Sequence, residues 1–118
     1  MANSPTTRID DDPERCAELL TTRTGLSWQK MREGARPVYA SGSAFILHNK
    51  VEPDKPTILL IRRPHPHAAD GPAWAVSTSV GDCFDVTAPN FDTLLACPEA
   101  VAILSGRNTG RGWNTLRL

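Results

Sequence analysis

The sequence has no surplus of either charge. Its 118 residues carry 13 Lys and Arg against 13 Asp and Glu, a formal net charge of zero. Nucleic acids and anionic membrane surfaces are held through clustered positive charge, so neither is an expected partner. Arg107, Arg111 and Arg117 make the end of the chain locally basic, without a matching aromatic-rich signal, and the single short stretch GRNTGRGW is weak evidence for RNA binding. Long apolar runs are also lacking: none approaches the ~20 residues that cross a bilayer. The first fifteen residues, MANSPTTRIDDDPER, have three consecutive aspartates and no apolar stretch, and read as neither a secretory leader nor a transit peptide. Cysteine is scarce and odd in number. Cys16, Cys83 and Cys97 lie far apart, which suits a reducing compartment better than a disulfide framework. The expectation is a soluble, cytoplasmic protein with one modest core.

Proline is plentiful, with ten in the chain, and it divides the sequence into segments. Residues 1–11 are polar and read as mobile, and DDDPER reads as a solvated helix start. Asp12 is placed as N-cap, Pro13 at the first helical position and Glu14 in the first turn. The helix is predicted over 12–22, with Cys16, Leu19 and Leu20 as its apolar stripe and Gly25 as its stop. Residues 26–40 give no clear element, because Gly34 and Pro37 interrupt any helix there. GSAFILH at 42–48 reads as a strand buried on both faces. TILLIRR at 57–63 is the clearest strand, bounded by Pro56 and Pro64. The two are predicted to pair antiparallel, and AWAVS at 73–77 to form a third strand. Beyond Ser77 the periodicity weakens. Asp92 is placed as the cap of one short helix, and Pro98 as the start of another that ends at Gly106.

Tyr39 to Val76 resembles the first half of a Nudix hydrolase domain. The resemblance is carried by SGSAFILHN, by TILLIRR with its basic end, and by DGPAWAV, where Gly71, Trp74 and Val76 stand as in the family's lead into its signature. It covers about a third of the chain. It implies an α/β fold, a partial Nudix-like α/β/α sandwich with a mixed sheet, with the C-terminal third irregular. Residues 1–25 are divided off as an N-terminal polar segment and helix, and 26–118 as a single Nudix-like domain, whole or incomplete. The implied family reaction is hydrolysis of a nucleoside-diphosphate-type bond with Mg2+, on a small-molecule nucleoside diphosphate derivative.

The residues themselves nominate a binding site. Arg62 and Arg63 end a strand beside a loop, where each guanidinium can fork onto phosphate oxygens or remain a solvated rim charge. Alternation along the strand puts one on each face. Trp74 offers a flat face for a ring or for core packing. Arg62, Arg63 and Trp74 are therefore the candidate substrate-binding residues.

The catalytic half of the family pattern is absent. That signature, G-x5-E-x7-R-E-U-x-E-E-x-G-U, binds divalent metal through glutamates on one helix face. After Val76 the acids are Asp82, Asp85, Asp92 and Glu99, none in such an arrangement, and Ser77-Thr78-Ser79 replaces the glycine turn. Pro98 breaks any helix meant to carry ligands on both sides of it. No catalytic residue and no Mg2+ ligand is identified, so the chain as written reads as a Nudix hydrolase-like protein that is inactive or truncated. The alternative is a non-catalytic nucleotide-binding or interaction module. Two origins stay open for the altered half. One is divergence. The other is a retained intron, since Val76-Ser77 can be encoded by GTGAGT, a splice-donor sequence, and Pro98-Glu99 by CCAGAG, which contains an acceptor-like CAG. His48, His65, His67 and Asp70 form a weak metal pattern. Cys83, between two acids, is poorly placed for a nucleophile.

Overall fold

The computed structural model describes residues 8–35, 43–50, 54, 57–63, 74–78, 85–107 and 116–118. Helix α1 runs Pro13–Thr24 and begins as its residue types require. The Asp12 carboxylate accepts from the Arg15 amide at 3.1 Å, and Pro13 takes a position that needs no donor. Gly25 ends the helix at φ 78°, a left-handed conformation that glycine adopts without penalty, and its N–H donates to the Thr21 carbonyl. The helix is two residues longer at its C-terminus than predicted. Cys16, Ala17 and Leu20 form its buried stripe, whereas Leu19 is exposed.

Six strands form one sheet in the order β1-β2-β3-β4-β5-β6: β1 Trp28–Lys30, β2 Phe45–Asn49, β3 Leu59–Arg62, β4 Trp74–Ser77, β5 Val86–Ala88 and β6 Leu116–Arg117. The first five meander antiparallel, and β6 lies parallel to β5. The sheet is mixed and the class is α/β, as expected. The predicted antiparallel pairing of the two apolar runs is present, with Ile46 opposite Ile61 and Leu47 opposite Leu60. Asn49, buried at the end of β2, accepts from the Ile58 amide through Oδ1 at 2.8 Å and so closes the connection between these strands.

Strand alternation divides the apolar residues between two faces. Phe45, Leu47, Leu60, Trp74, Val76, Val86 and Ala88 share the main core with the helices. Ile46, Leu59 and Ile61 form a second cluster on the opposite face, against Met31. Burial on both faces explains why β2 and β3 read as continuous apolar runs.

Three regions differ from the sequence reading. Strand β1 lies in the stretch where no element was expected. It is short, and α1 holds it: the Trp28 amide donates to Thr21 Oγ1 at 3.1 Å and Trp28 Nε1 donates to Thr24 Oγ1 at 3.0 Å. Residues 9–11, read as part of a mobile segment, form a 3-10 turn with Asp10 buried. The C-terminal third, read as irregular, holds regular elements among its described residues: β5, helix α2 at Phe91–Ala96, helix α3 at Pro98–Leu104, and β6. The two helices were expected, but Asn90 rather than Asp92 caps α2, accepting from the Thr93 amide at 2.7 Å. Their Phe91, Leu94, Leu95, Ala100, Ile103 and Leu104 all enter the main core.

Candidate functional site

Arg62 is the last residue of β3 and faces the helix side of the sheet, directly opposite Trp74 in the β3–β4 register. Its Cζ lies 5.5 Å from the centroid of the Trp74 ring, within cation–π range. Trp74 is fully buried. It packs edge-on against Phe45 at a centroid distance of 5.7 Å and tilted against Phe91 at 5.3 Å. A guanidinium and an indole N–H are two strong donors, and neither can be buried without acceptors.

The acceptors come from the 3-10 turn Ile9–Asp11. Asp10 Oδ1 accepts from Trp74 Nε1 and from the Phe91 amide, each at 2.8 Å. The Asp10 carbonyl accepts from Arg62 Nε at 2.8 Å, and Asp11 Oδ1 accepts from Arg62 Nη2 at 3.1 Å. Arg62 Nη1 donates to the Arg63 carbonyl at 2.9 Å. Arg8 Nη2 lies 3.9 Å from Asp10 Oδ2. The Arg62 side chain is 8% exposed and that of Asp11 57%, so the pair joins a buried cation to a rim carboxylate.

Cys16 borders the same region. Its thiol donates to the Ile9 carbonyl at 3.0 Å. Burial pushes its pKa up to about 12, with Asp10 and Asp12 adding to the rise and Arg62 opposing it. The group is therefore a neutral donor at ordinary pH, not a nucleophile.

The structure brings two of the three nominated residues together, Arg62 and Trp74, around the turn that carries Asp10. Arg63 follows β3, is half-buried, and enters through its backbone carbonyl. The residue that sequence reasoning missed is Asp10. The acidic run reads as a solvated helix start, and only Ile9, an apolar β-branched residue just before it, hints that this part of the chain packs. Asp12 does act as the helix cap, but Asp10 and Asp11 turn back toward the sheet.

Among the described residues no three His, Cys, Asp or Glu side chains are close enough to hold a metal ion. Asp10 and Asp11 are already bonded by donors, so the acids of this site do not form a set of ligands fit for Mg2+. His48 is half-buried on β2 with Nδ1 3.0 Å from the Asn49 carbonyl. His65, His67, Asp70, Asp82 and Cys83 lie outside the described residues.

Elsewhere, described residues line a groove and a cleft. A groove of about 590 Å³ runs between α1 and β1, with Glu14 and Glu18 on one wall and Lys30 on the other. A cleft of about 300 Å³ has Arg23 and Arg107 at its edge. Arg23 Nη2 donates to the Leu95 carbonyl at the end of α2, 2.8 Å away, so this arginine serves as a helix C-terminal partner. Among the described residues no helix is long and apolar enough to cross a membrane. Comparison with known protein families, with curated proteins and with solved structures finds no match.

Proposed function

We propose that this chain is a cytoplasmic nucleotide-binding module with a Nudix-like sheet, which binds the diphosphate of a small nucleoside diphosphate derivative without hydrolysing it. The observation that carries the reading is the convergence of the Arg62 guanidinium and the Trp74 indole N–H on the acidic turn, with the Phe91 amide beside them. These are the donor types that bind phosphate oxygens, and an arginine placed by a strand end presents them in a fixed geometry. Arg63 stands next in the chain as the rim cation. Turnover in the Nudix manner needs carboxylates gathered around Mg2+, and the acids at this site are committed to Arg62, Trp74 and Phe91 instead.

Isothermal titration calorimetry of the 118-residue chain with ADP-ribose tests the reading. Binding that is lost in Arg62→Lys and weakened in Arg63→Ala supports it. Absence of heat with ADP-ribose and with pyrophosphate rejects it. The second reading, a magnesium-dependent hydrolase, rests on the sequence resemblance. It requires hydrolysis of ADP-ribose that a chelator abolishes.

A further inference from the structure

The nominated binding residues are not empty-handed. Arg62 and Trp74 are occupied by the chain's own acidic turn, reached across 51 residues to Asp11 and 64 residues to Asp10. At Arg62 the turn presents the Asp11 carboxylate and, beside it, the Asp10 carbonyl as a second acceptor. A carboxylate oxygen and a phosphate oxygen accept the same hydrogen bonds from guanidinium and N–H donors. The turn is only three residues long, and Asp11 reaches the surface. The Asp11 bond to Arg62 is part-buried, whereas the Asp10 carboxylate is bonded inside the core.

We propose that the Ile9–Asp11 turn is an intramolecular plug, whose Asp11 carboxylate and Asp10 carbonyl cap the Arg62 guanidinium and compete there with a diphosphate ligand. The proposal rests on the nucleotide-binding reading above. In its plugged form the protein binds weakly, because only the fraction of molecules with the turn released is competent. A ligand that displaces the turn takes over the Arg62 bonds, and the segment before α1 is freed. Plug and ligand are thus alternatives at one site. A purely architectural staple predicts something different, since weakening it lowers stability and creates no affinity.

The test compares the full chain with Asp11→Ala and Asp10→Asn, titrated with inorganic pyrophosphate and with ADP-ribose by calorimetry. Near-ultraviolet circular dichroism confirms the packing of Trp74 in each variant. Asp11→Ala removes a half-exposed ion pair and leaves Asp10 in place. Asp10→Asn keeps an acceptor for Trp74 and Phe91 while removing the charge. Affinity is expected to rise about threefold in Asp11→Ala and to stay near the parent value in Asp10→Asn, which leaves the contacts to Arg62 in place. Equal affinity in all three proteins would overturn the plug while leaving the binding site standing. No binding in any folded protein would remove both. If Asp10→Asn does not fold, Asp11→Ala decides alone: unchanged affinity refutes the plug.

Discussion

Trp74 Nε1 donates to Asp10 Oδ1 at 2.8 Å, tying the centre of the sheet to a turn 64 residues earlier in the chain. The same oxygen accepts the first amide of α2 from Phe91. One carboxylate therefore joins three parts of the fold: the N-terminal turn, strand β4 and the start of α2. Replacing Asp10 with alanine leaves two buried donors without an acceptor. Each such loss costs about 1–3 kcal/mol. Asp10→Ala is expected to lower stability by about 2–5 kcal/mol in urea denaturation, and Asp10→Asn by clearly less. A loss below about 0.5 kcal/mol, the range of ordinary surface changes, would show that these bonds are not structural.

The sheet was largely legible because β2 and β3 are buried on both faces and bounded by prolines, so their pattern needs no knowledge of distant partners. Helix α1 was legible for a local reason as well: its cap, its Pro13 and its Gly25 all lie within the segment. Strand β1 was not, since WQK has no pattern of its own and is held by Thr21 and Thr24 of the preceding helix. Asp10 was misread because its partners, Trp74 and Phe91, are far away in sequence. A run of aspartates before a helix gives no sign of which member turns inward. Arg62 and Trp74, nominated as substrate-binding residues, lie opposite each other in the β3–β4 register, but the sequence gives no hint that the chain supplies its own acidic group to them.

Val86, Ala88 and the apolar residues of α2 and α3, all after Ser77, are part of the main core. Asn90 caps α2, Pro98 starts α3, and Gly106 follows with φ 85°. Asp85 Oδ2 accepts from the Thr78 amide and hydroxyl, at 2.9 and 2.6 Å, where the chain enters β5. Phe91→Ala, which empties a fully buried site against Trp74, is expected to cost about 3–5 kcal/mol. A chain ending at Ser77 should show no cooperative thermal unfolding. A cooperative transition in that truncated protein would contradict the view that β5, α2 and α3 complete the core.

Cys16 makes stability depend on alkaline pH. Its folded pKa of about 12 lies above the ordinary thiol value of 9.0, so the folded state holds the proton more tightly than the unfolded chain. The stabilisation is fully present below pH 9 and is lost as pH rises from 9 toward 12. The decline should be shallower in Cys16→Ala than in the parent protein when denaturation is followed across that window. Iodoacetamide labelling at pH 8, mapped by mass spectrometry, should spare Cys16 and modify the half-buried Cys97 before it. Rapid labelling of Cys16 in the folded protein would contradict its assignment as a buried donor to the Ile9 carbonyl.

The central claim is that the chain binds a diphosphate and does not cleave it. Phosphorus-31 nuclear magnetic resonance of ADP-ribose, mixed with the protein and Mg2+, reads both properties in one sample. The account predicts that the diphosphate resonances shift or broaden, more so in Asp11→Ala than in the parent, with no new phosphate signal over the incubation. Growth of phosphomonoester resonances from AMP and ribose 5-phosphate, abolished by a chelator, would contradict it, as would diphosphate resonances that remain unchanged in both proteins.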